Sequence, residues 1–204
     1  MESLSKTSDA VLSRLTNAMK DSTGVVHPQS LLCALGSLAG YSCQRDVRDI
    51  YIKGRGLSEE DIFTVMNDRQ GRRYFFGDIL NAPLVNEERS VWALIGGGIK
   101  AAGGALPDVN DIFRYVSVKI GSEEFGRVRS TETGDTMQGY LKALRAPMLE
   151  LASQGAGAGE LHVVFGLALQ RFIKLCRGSI DLSEAGRIAM ESAVSMSKID
   201  IRTL

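Results

Sequence analysis

Histidine, the commonest metal ligand among the side chains, is scarce in this chain of 204 residues. Only His27 and His162 are present, and they lie far apart in the sequence. Neither stands with a Cys, a His or a carboxylate at a spacing used for metal ligation. We therefore expect no metal site and no cofactor.

Cysteine is almost as rare, with Cys33, Cys43 and Cys176 as the only three. An odd number of widely spaced cysteines in apolar surroundings predicts free, buried thiols and argues against a disulfide framework. Cys33 and Cys176 look like core positions, Cys43 has no histidine close in sequence to serve as a base, and the chain contains no Gly-x-Ser-x-Gly motif. The sequence thus indicates no enzyme class, and whether the protein is an enzyme stays open.

The chain also lacks net charge and long apolar runs. Its 24 Lys and Arg balance its 24 Asp and Glu, so no overall field draws it to nucleic acid or to an anionic membrane. No stretch approaches the roughly 18 consecutive apolar residues that a membrane span needs. The N-terminal residues 1–6 do not resemble a secretory signal. We expect a cytoplasmic protein that binds neither membranes nor nucleic acid.

Most of the sequence repeats its apolar residues at helical spacing. The pattern predicts a mainly α-helical single domain, a bundle of about six to seven helices with one inserted β-hairpin. The expected helices cover about 8–22, 28–53, 86–103, 107–120, 136–153, 161–176 and 181–197, with flexible loops at about 122–134 and 154–159. Gly36 and Gly40 fall on one face of the second helix, which we expect to be central and closely packed. Pro147 is expected to kink or split its helix.

The hairpin is predicted at about 62–77, where a turn at 68–71 joins two runs of β-branched and aromatic residues. A basic pair, Arg72 and Arg73, precedes the aromatic triplet Tyr74, Phe75 and Phe76. Arginines beside aromatic residues can bind nucleic acid. Strand alternation, however, places the aromatics on two faces, which favours packing in the core.

A candidate ligand site follows from this concentration of polar and aromatic groups. If the protein binds a small molecule, we expect the pocket between the hairpin and the helix that carries the only tryptophan. Its predicted residues are Arg73, Tyr74, Asp78, Asn81 and Trp92. A glycine-rich run at 96–104 lacks the Gly-Lys-Ser/Thr ending of a phosphate-binding loop, so close helix packing is the better explanation there.

The run Arg72 to Leu84, with Ser90-Val91-Trp92 after it, resembles a segment of an uncharacterised family of mostly helical bacterial proteins of similar length. The resemblance extends to residues 30–44 and 190–200. It implies a bacterial domain of unknown function and brings no catalytic residue, cofactor or partner with it.

Two functional hypotheses remain. The first is a non-catalytic protein that associates with itself or with another protein through the hairpin or the C-terminal helix, whose Met190 and Met196 offer adaptable packing. The alternative is a small-molecule-binding protein or enzyme, with Arg73 and Asp78 supplying charge and orientation in the hairpin pocket.

Overall fold

The chain is mainly α-helical and carries one two-stranded antiparallel hairpin, as the sequence predicts. The computed structural model describes residues 2–129 and 133–204. Its helices are α1 (Glu2–Ala18), α2 (Pro28–Val47), α3 (Glu59–Ile62), α4 (Asp78–Asn81), α5 (Val91–Ala101), α6 (Val109–Lys119), α7 (Met137–Ser153), α8 (Leu161–Leu175) and α9 (Leu182–Lys198). The strands are β1 (Thr64–Asn67) and β2 (Arg73–Phe76). None of the helices described is long and apolar enough to cross a membrane.

Several helices differ from their predicted bounds for local reasons. α1 begins at Glu2 because Leu4 continues its buried face toward the N-terminus. α2 is followed by a π-helical turn at Arg48–Lys53. α5 begins only after Ser90, whose hydroxyl accepts the Ala93 N–H, whereas the preceding residues 82–86 form a second π-helical turn. α7 continues through Pro147.

The centre of the fold is the contact between α2 and α9. A β-carbon at Gly36 would lie 2.3 Å from the carbonyl oxygen of Ala189, and one at Gly40 would lie 2.0 Å from that of Ala193. The missing side chains therefore let the two backbones approach each other. Nearly every residue of α2 is buried, which confirms its predicted central position.

α8 packs against α2 on one side and against α1 and α5 on others. At the contact with α5, a β-carbon at Gly98 would lie 2.8 Å from the carbonyl oxygen of Gln170. The glycine-rich run thus serves helix packing, as predicted. The three cysteines are free and buried, and burial raises the pKa of the Cys33 and Cys176 thiols to about 11.

The hairpin closes through a turn in which Asp68 N–H donates to the Arg72 carbonyl at 3.0 Å and Gly71 has a φ of 77°. The strands pair in the register Thr64 with Phe76 and Asn67 with Arg73. β2 faces the body of the protein, where Tyr74 forms an isolated antiparallel bridge with Ile199, just after α9. The hairpin is therefore anchored through β2, and β1 lies on its outer side.

Two segments were predicted as flexible loops. In the first, 122–134, residues 130–132 lie outside the described part, and Gly126 and Val128 are buried. In the second, 154–159, Gly155 packs against Thr7. A β-carbon at residue 155 would lie 1.9 Å from the Thr7 hydroxyl oxygen.

Candidate functional site

The main cluster of charged side chains is centred on Glu59, the first residue of α3. Its carboxylate accepts hydrogen bonds from Arg48, at the start of the π-helical turn, and from Arg73 in β2 at 2.8 Å. It also forms an ion pair with Arg202, near the C-terminal end, at 2.9 Å. Four separate segments therefore meet at one carboxylate. We call these residues, together with Asp200, the arginine cluster.

Arg48 is the most buried arginine of the cluster, with a side chain only 10% exposed. Its guanidinium packs against the rings of both Phe63 and Phe75, 4.9 and 4.6 Å from their centroids. Its Nε donates to the Gln44 side chain, which in turn donates to the backbone carbonyls of Ser197 and Ile199 at the C-terminal end of α9. The remaining nitrogen, Nη2, is buried and has no hydrogen-bond partner among the described residues.

Asp200 is the second carboxylate of the cluster and lies just after α9. It accepts two hydrogen bonds from the Arg202 side chain, at 2.8 and 2.6 Å, and lies 3.9 Å from Arg73. The hydrogen bonds from Arg202 lower the pKa of Asp200. Partial burial acts to raise the pKa of Glu59, but hydrogen bonds from Arg48 and Arg73 outweigh it, so that pKa is also lowered. Both groups are carboxylates at neutral pH.

A groove of about 420 Å³ opens beside the cluster, between α2, the π-helical turn and the C-terminal segment. It is lined by Tyr41, Arg45, Arg48, Asp49, Ile52, Lys53, Glu59, Ile201 and Arg202. Four of these side chains are basic and two are acidic, which leaves a surplus of positive charge. Ile52 and Ile201 add apolar surface. We call this space the arginine groove.

A second cavity, of about 300 Å³, lies on the opposite side of Asp200. The hairpin contributes residues 70–74, and Gln138, Ile199, Asp200 and Thr203 complete its lining. Arg73 connects the two spaces, because its guanidinium lies near Asp200 and donates to Glu59 in the arginine groove. Neither space brings together a metal site: the described residues contain no group of three His, Cys, Asp or Glu able to hold a metal ion.

Lys198 occupies the last turn of α9 behind the hairpin and is 4% exposed. Its ammonium donates to the side-chain oxygen of Asn81 at 2.9 Å and lies 5.6 Å from the centroid of the Phe76 ring. Burial lowers the pKa of Lys198 to about 8. This contact fixes α4 against the end of α9.

The structure brings together only part of the predicted ligand site. Arg73 and Tyr74 line the second cavity side by side, although Tyr74 is mostly buried against Phe125. Asn81 contacts Lys198 and lines neither cavity. The remaining two lie apart, Asp78 exposed at the start of α4 and Trp92 half-buried against the core in α5.

Sequence reasoning missed Arg48, Glu59, Asp200 and Arg202. They are far apart along the chain, and an ionisable residue in a helical or terminal segment usually faces solvent. One sign was available for Arg48: it follows the apolar face of α2 into the next turn, one helical turn after Gln44. A charge at such a position needs a partner, and the structure supplies Glu59.

Comparison of the chain with protein-family models, with curated proteins and with solved structures gives no match. The resemblance to a bacterial family therefore stays a prediction, and the function must be argued from the geometry.

Proposed function

We propose that the protein binds a small anionic molecule in the arginine groove. The observation that carries this proposal is the imbalance of the cluster, in which three arginines share the two carboxylates of Glu59 and Asp200. Arg48 adds a buried guanidinium nitrogen that finds no hydrogen-bond partner in the described part of the chain. Burying a charged group is unfavourable unless its hydrogen-bonding groups are satisfied, so a bound anion would complete the cluster.

The basic side chains at the rim suit a carboxylate or a phosphate group. Arg45 and Arg202 are 38% and 48% exposed, so both can donate hydrogen bonds to an incoming ligand. Guanidinium groups bind such anions through paired hydrogen bonds, which are stronger than those between neutral groups. Arg45 is held loosely, with Asp49 as its ion-pair partner at 3.6 Å.

The rest of the lining favours a ligand that also has an apolar part. Ile52 and Ile201 form apolar surface within the groove, and Tyr41 adds an aromatic ring. Small-molecule sites typically combine apolar walls with a few polar groups that fix orientation. The expected ligand is therefore an organic acid or a phosphate ester of modest size.

Isothermal titration calorimetry with phenyl phosphate, phenylacetate and inorganic phosphate tests the proposal, with benzyl alcohol as the neutral probe. We expect saturable binding of phenyl phosphate or phenylacetate, weaker binding of inorganic phosphate and none of benzyl alcohol. Arg45→Gln and Arg202→Gln should each weaken binding about tenfold, because each removes a charge-assisted contact. Circular dichroism verifies that the variants fold.

Arg14→Gln is the matched control, since Arg14 is an exposed arginine of α1 and does not line the groove. It should bind like the unmodified protein. Equal affinity in Arg14→Gln, Arg45→Gln and Arg202→Gln would contradict the proposal, as would the failure of all three anions to bind saturably.

A further inference from the structure

The outer edge of β1 is an unpaired strand edge. In an antiparallel pair, residues alternate between those whose backbone groups bond to the partner strand and those whose groups point away. Asp68 N–H donates to the Arg72 carbonyl, so the backbone groups of Asp68 point toward β2. Because the direction alternates along the strand, the backbone groups of Thr64 and Met66 also point toward β2. The backbone groups of Val65 and Asn67 therefore point outward, and no described residue forms a backbone hydrogen bond with them.

Most side chains along this edge are exposed. Met66 is 57% exposed, the highest value for a large apolar side chain in the hairpin, and Thr64 and Asn67 are exposed beside it. Soluble proteins usually protect such edges with charges, proline or a covering segment, because an open edge pairs readily with another strand. Here the four residues of β1 carry no charge.

Opposite charges lie beyond the two ends of β1. Glu60 lies in α3, four residues before the strand begins, and Arg69 lies in the turn, two residues after it ends; both are exposed. Neither forms an ion pair with a described residue, whereas their neighbours Glu59 and Asp68 do. The edge is thus acidic at one end, basic at the other and uncharged between.

We propose that two copies of this chain pair through their β1 edges, antiparallel, around a two-fold axis at Val65. This register matches the outward groups of Val65 in one copy with the same groups in the other, and it places Thr64 opposite Met66. It also brings Arg69 of each copy beside Glu60 and Asp61 of the other. A symmetric contact of this kind uses one patch twice, so a patch must be complementary to itself.

That self-complementarity is the reason to prefer a second copy over an unrelated strand. A foreign peptide could use the open backbone groups, but nothing would require it to carry a charge of each sign at this separation. The C-terminal helix, the other surface considered for association, is almost completely buried from Ala185 to Lys198. The hairpin edge therefore carries the association hypothesis, and it is independent of the arginine groove.

Sedimentation velocity of the full chain over the micromolar range tests the proposal. We expect a reversible dimer, with the dissociation constant raised about tenfold or more by Arg69→Glu and by Glu60→Arg, because each reversal places like charges together. The double variant Arg69→Glu/Glu60→Arg restores the attraction between these two positions in the opposite sense and should recover part of the dimerisation, because Asp61 stays beside residue 69. Arg14→Glu, far from the hairpin along the chain, should dimerise normally.

Val65→Pro provides a second test that does not depend on charge. Proline removes an N–H that points away from β2, so it should abolish pairing between copies while leaving the hairpin's own hydrogen bonds intact. Circular dichroism and near-ultraviolet spectra report whether the fold is kept. A protein that stays monomeric, or a dimer that survives Val65→Pro and both charge reversals unchanged, would overturn the proposal.

Discussion

Gly40 of α2 lies so close to Ala193 of α9 that a β-carbon at residue 40 would fall 2.0 Å from the Ala193 carbonyl oxygen and 2.8 Å from its α-carbon. The contact is with backbone, which cannot move without displacing the whole helix. The same contact recurs one turn earlier, between Gly36 and Ala189. The separation of the two central helices is therefore set by the absence of two side chains.

Gly40→Ala is expected to destabilise the protein strongly. The added methyl group gains helix propensity, worth up to about 1 kcal/mol, but it forces α2 and α9 apart. Overpacking of this kind costs about 3 kcal/mol. Urea denaturation measures the difference in the free energy of unfolding.

Gly96→Ala in α5 is the matched control for this substitution. Its β-carbon would lie 3.5 Å from the side chain of Leu106, an ordinary contact. The gain in helix propensity should therefore decide the change in stability. We expect unchanged or slightly higher stability, within about 1 kcal/mol. Equal effects of the two substitutions would contradict the close approach of α2 and α9.

The buried Lys198 should make stability rise with pH above neutrality. Its pKa is about 8 in the folded protein and 10.5 in the unfolded chain, so between these values the unfolded state binds more protons. Folding therefore becomes more favourable as pH increases from about 8 to about 10.5, by up to about 1.4 kcal/mol per pH unit. Burial raises the pKa of the nearby Cys43 thiol well above its ordinary value.

Lys198→Met isolates this effect, because it removes the titrating group and keeps an unbranched side chain. We expect the stability of the unmodified protein, relative to Lys198→Met, to increase from about pH 8 to about pH 10. Lys100→Met, at an exposed position of α5, should show a difference independent of pH over that range. A flat difference for Lys198→Met would mean that the ammonium is solvated.

The helices and the hairpin could be predicted because their residues repeat at regular spacing, and burial follows the repeat. The arginine cluster could not. Arg73 was found through its neighbours in the hairpin, but no pattern in the sequence singled out its partner Glu59 or Arg202. The elements that carry these three residues meet only when the hairpin packs on α2 and α9. Such a contact produces no regular spacing of residues that could be recognised in the sequence.

Asp46 is expected to hold the start of α8 in place. Its carboxylate accepts the His162 N–H at 2.9 Å and contacts the His162 ring nitrogen Nδ1 at 2.8 Å, and both residues are buried. Asp46→Ala should cost about 3 kcal/mol, since it removes a helix cap and leaves a buried imidazole nitrogen without a partner.

Asp46→Asn keeps an oxygen that can accept the backbone N–H and should therefore lose less stability than Asp46→Ala. Urea denaturation gives both values, and Asp9→Ala, at an exposed position of α1, serves as the control. If Asp46→Ala were no more harmful than Asp9→Ala, the carboxylate would not be a structural partner of α8.

Glu59 is expected to stabilise the fold at neutral pH and to lose this effect in acid. Glu59→Gln removes the negative charge that compensates Arg48, and breaking a buried ion pair in this way costs about 3 kcal/mol. The pKa of Glu59 is lowered in the folded protein. The stability that Glu59 contributes is therefore complete above the ordinary pKa of 4.5 and is lost as pH falls through the folded pKa.

Urea denaturation at pH 7 should separate Glu59→Gln clearly from the unmodified protein, and the difference in the free energy of unfolding should shrink steadily below about pH 4.5. Glu150→Gln changes an exposed residue of α7 that has no ion-pair partner among the described residues, and should stay within about 0.5 kcal/mol of the unmodified protein. A Glu59→Gln difference that is equally small, or one that does not change with acid, would mean that the three arginines do not depend on this carboxylate.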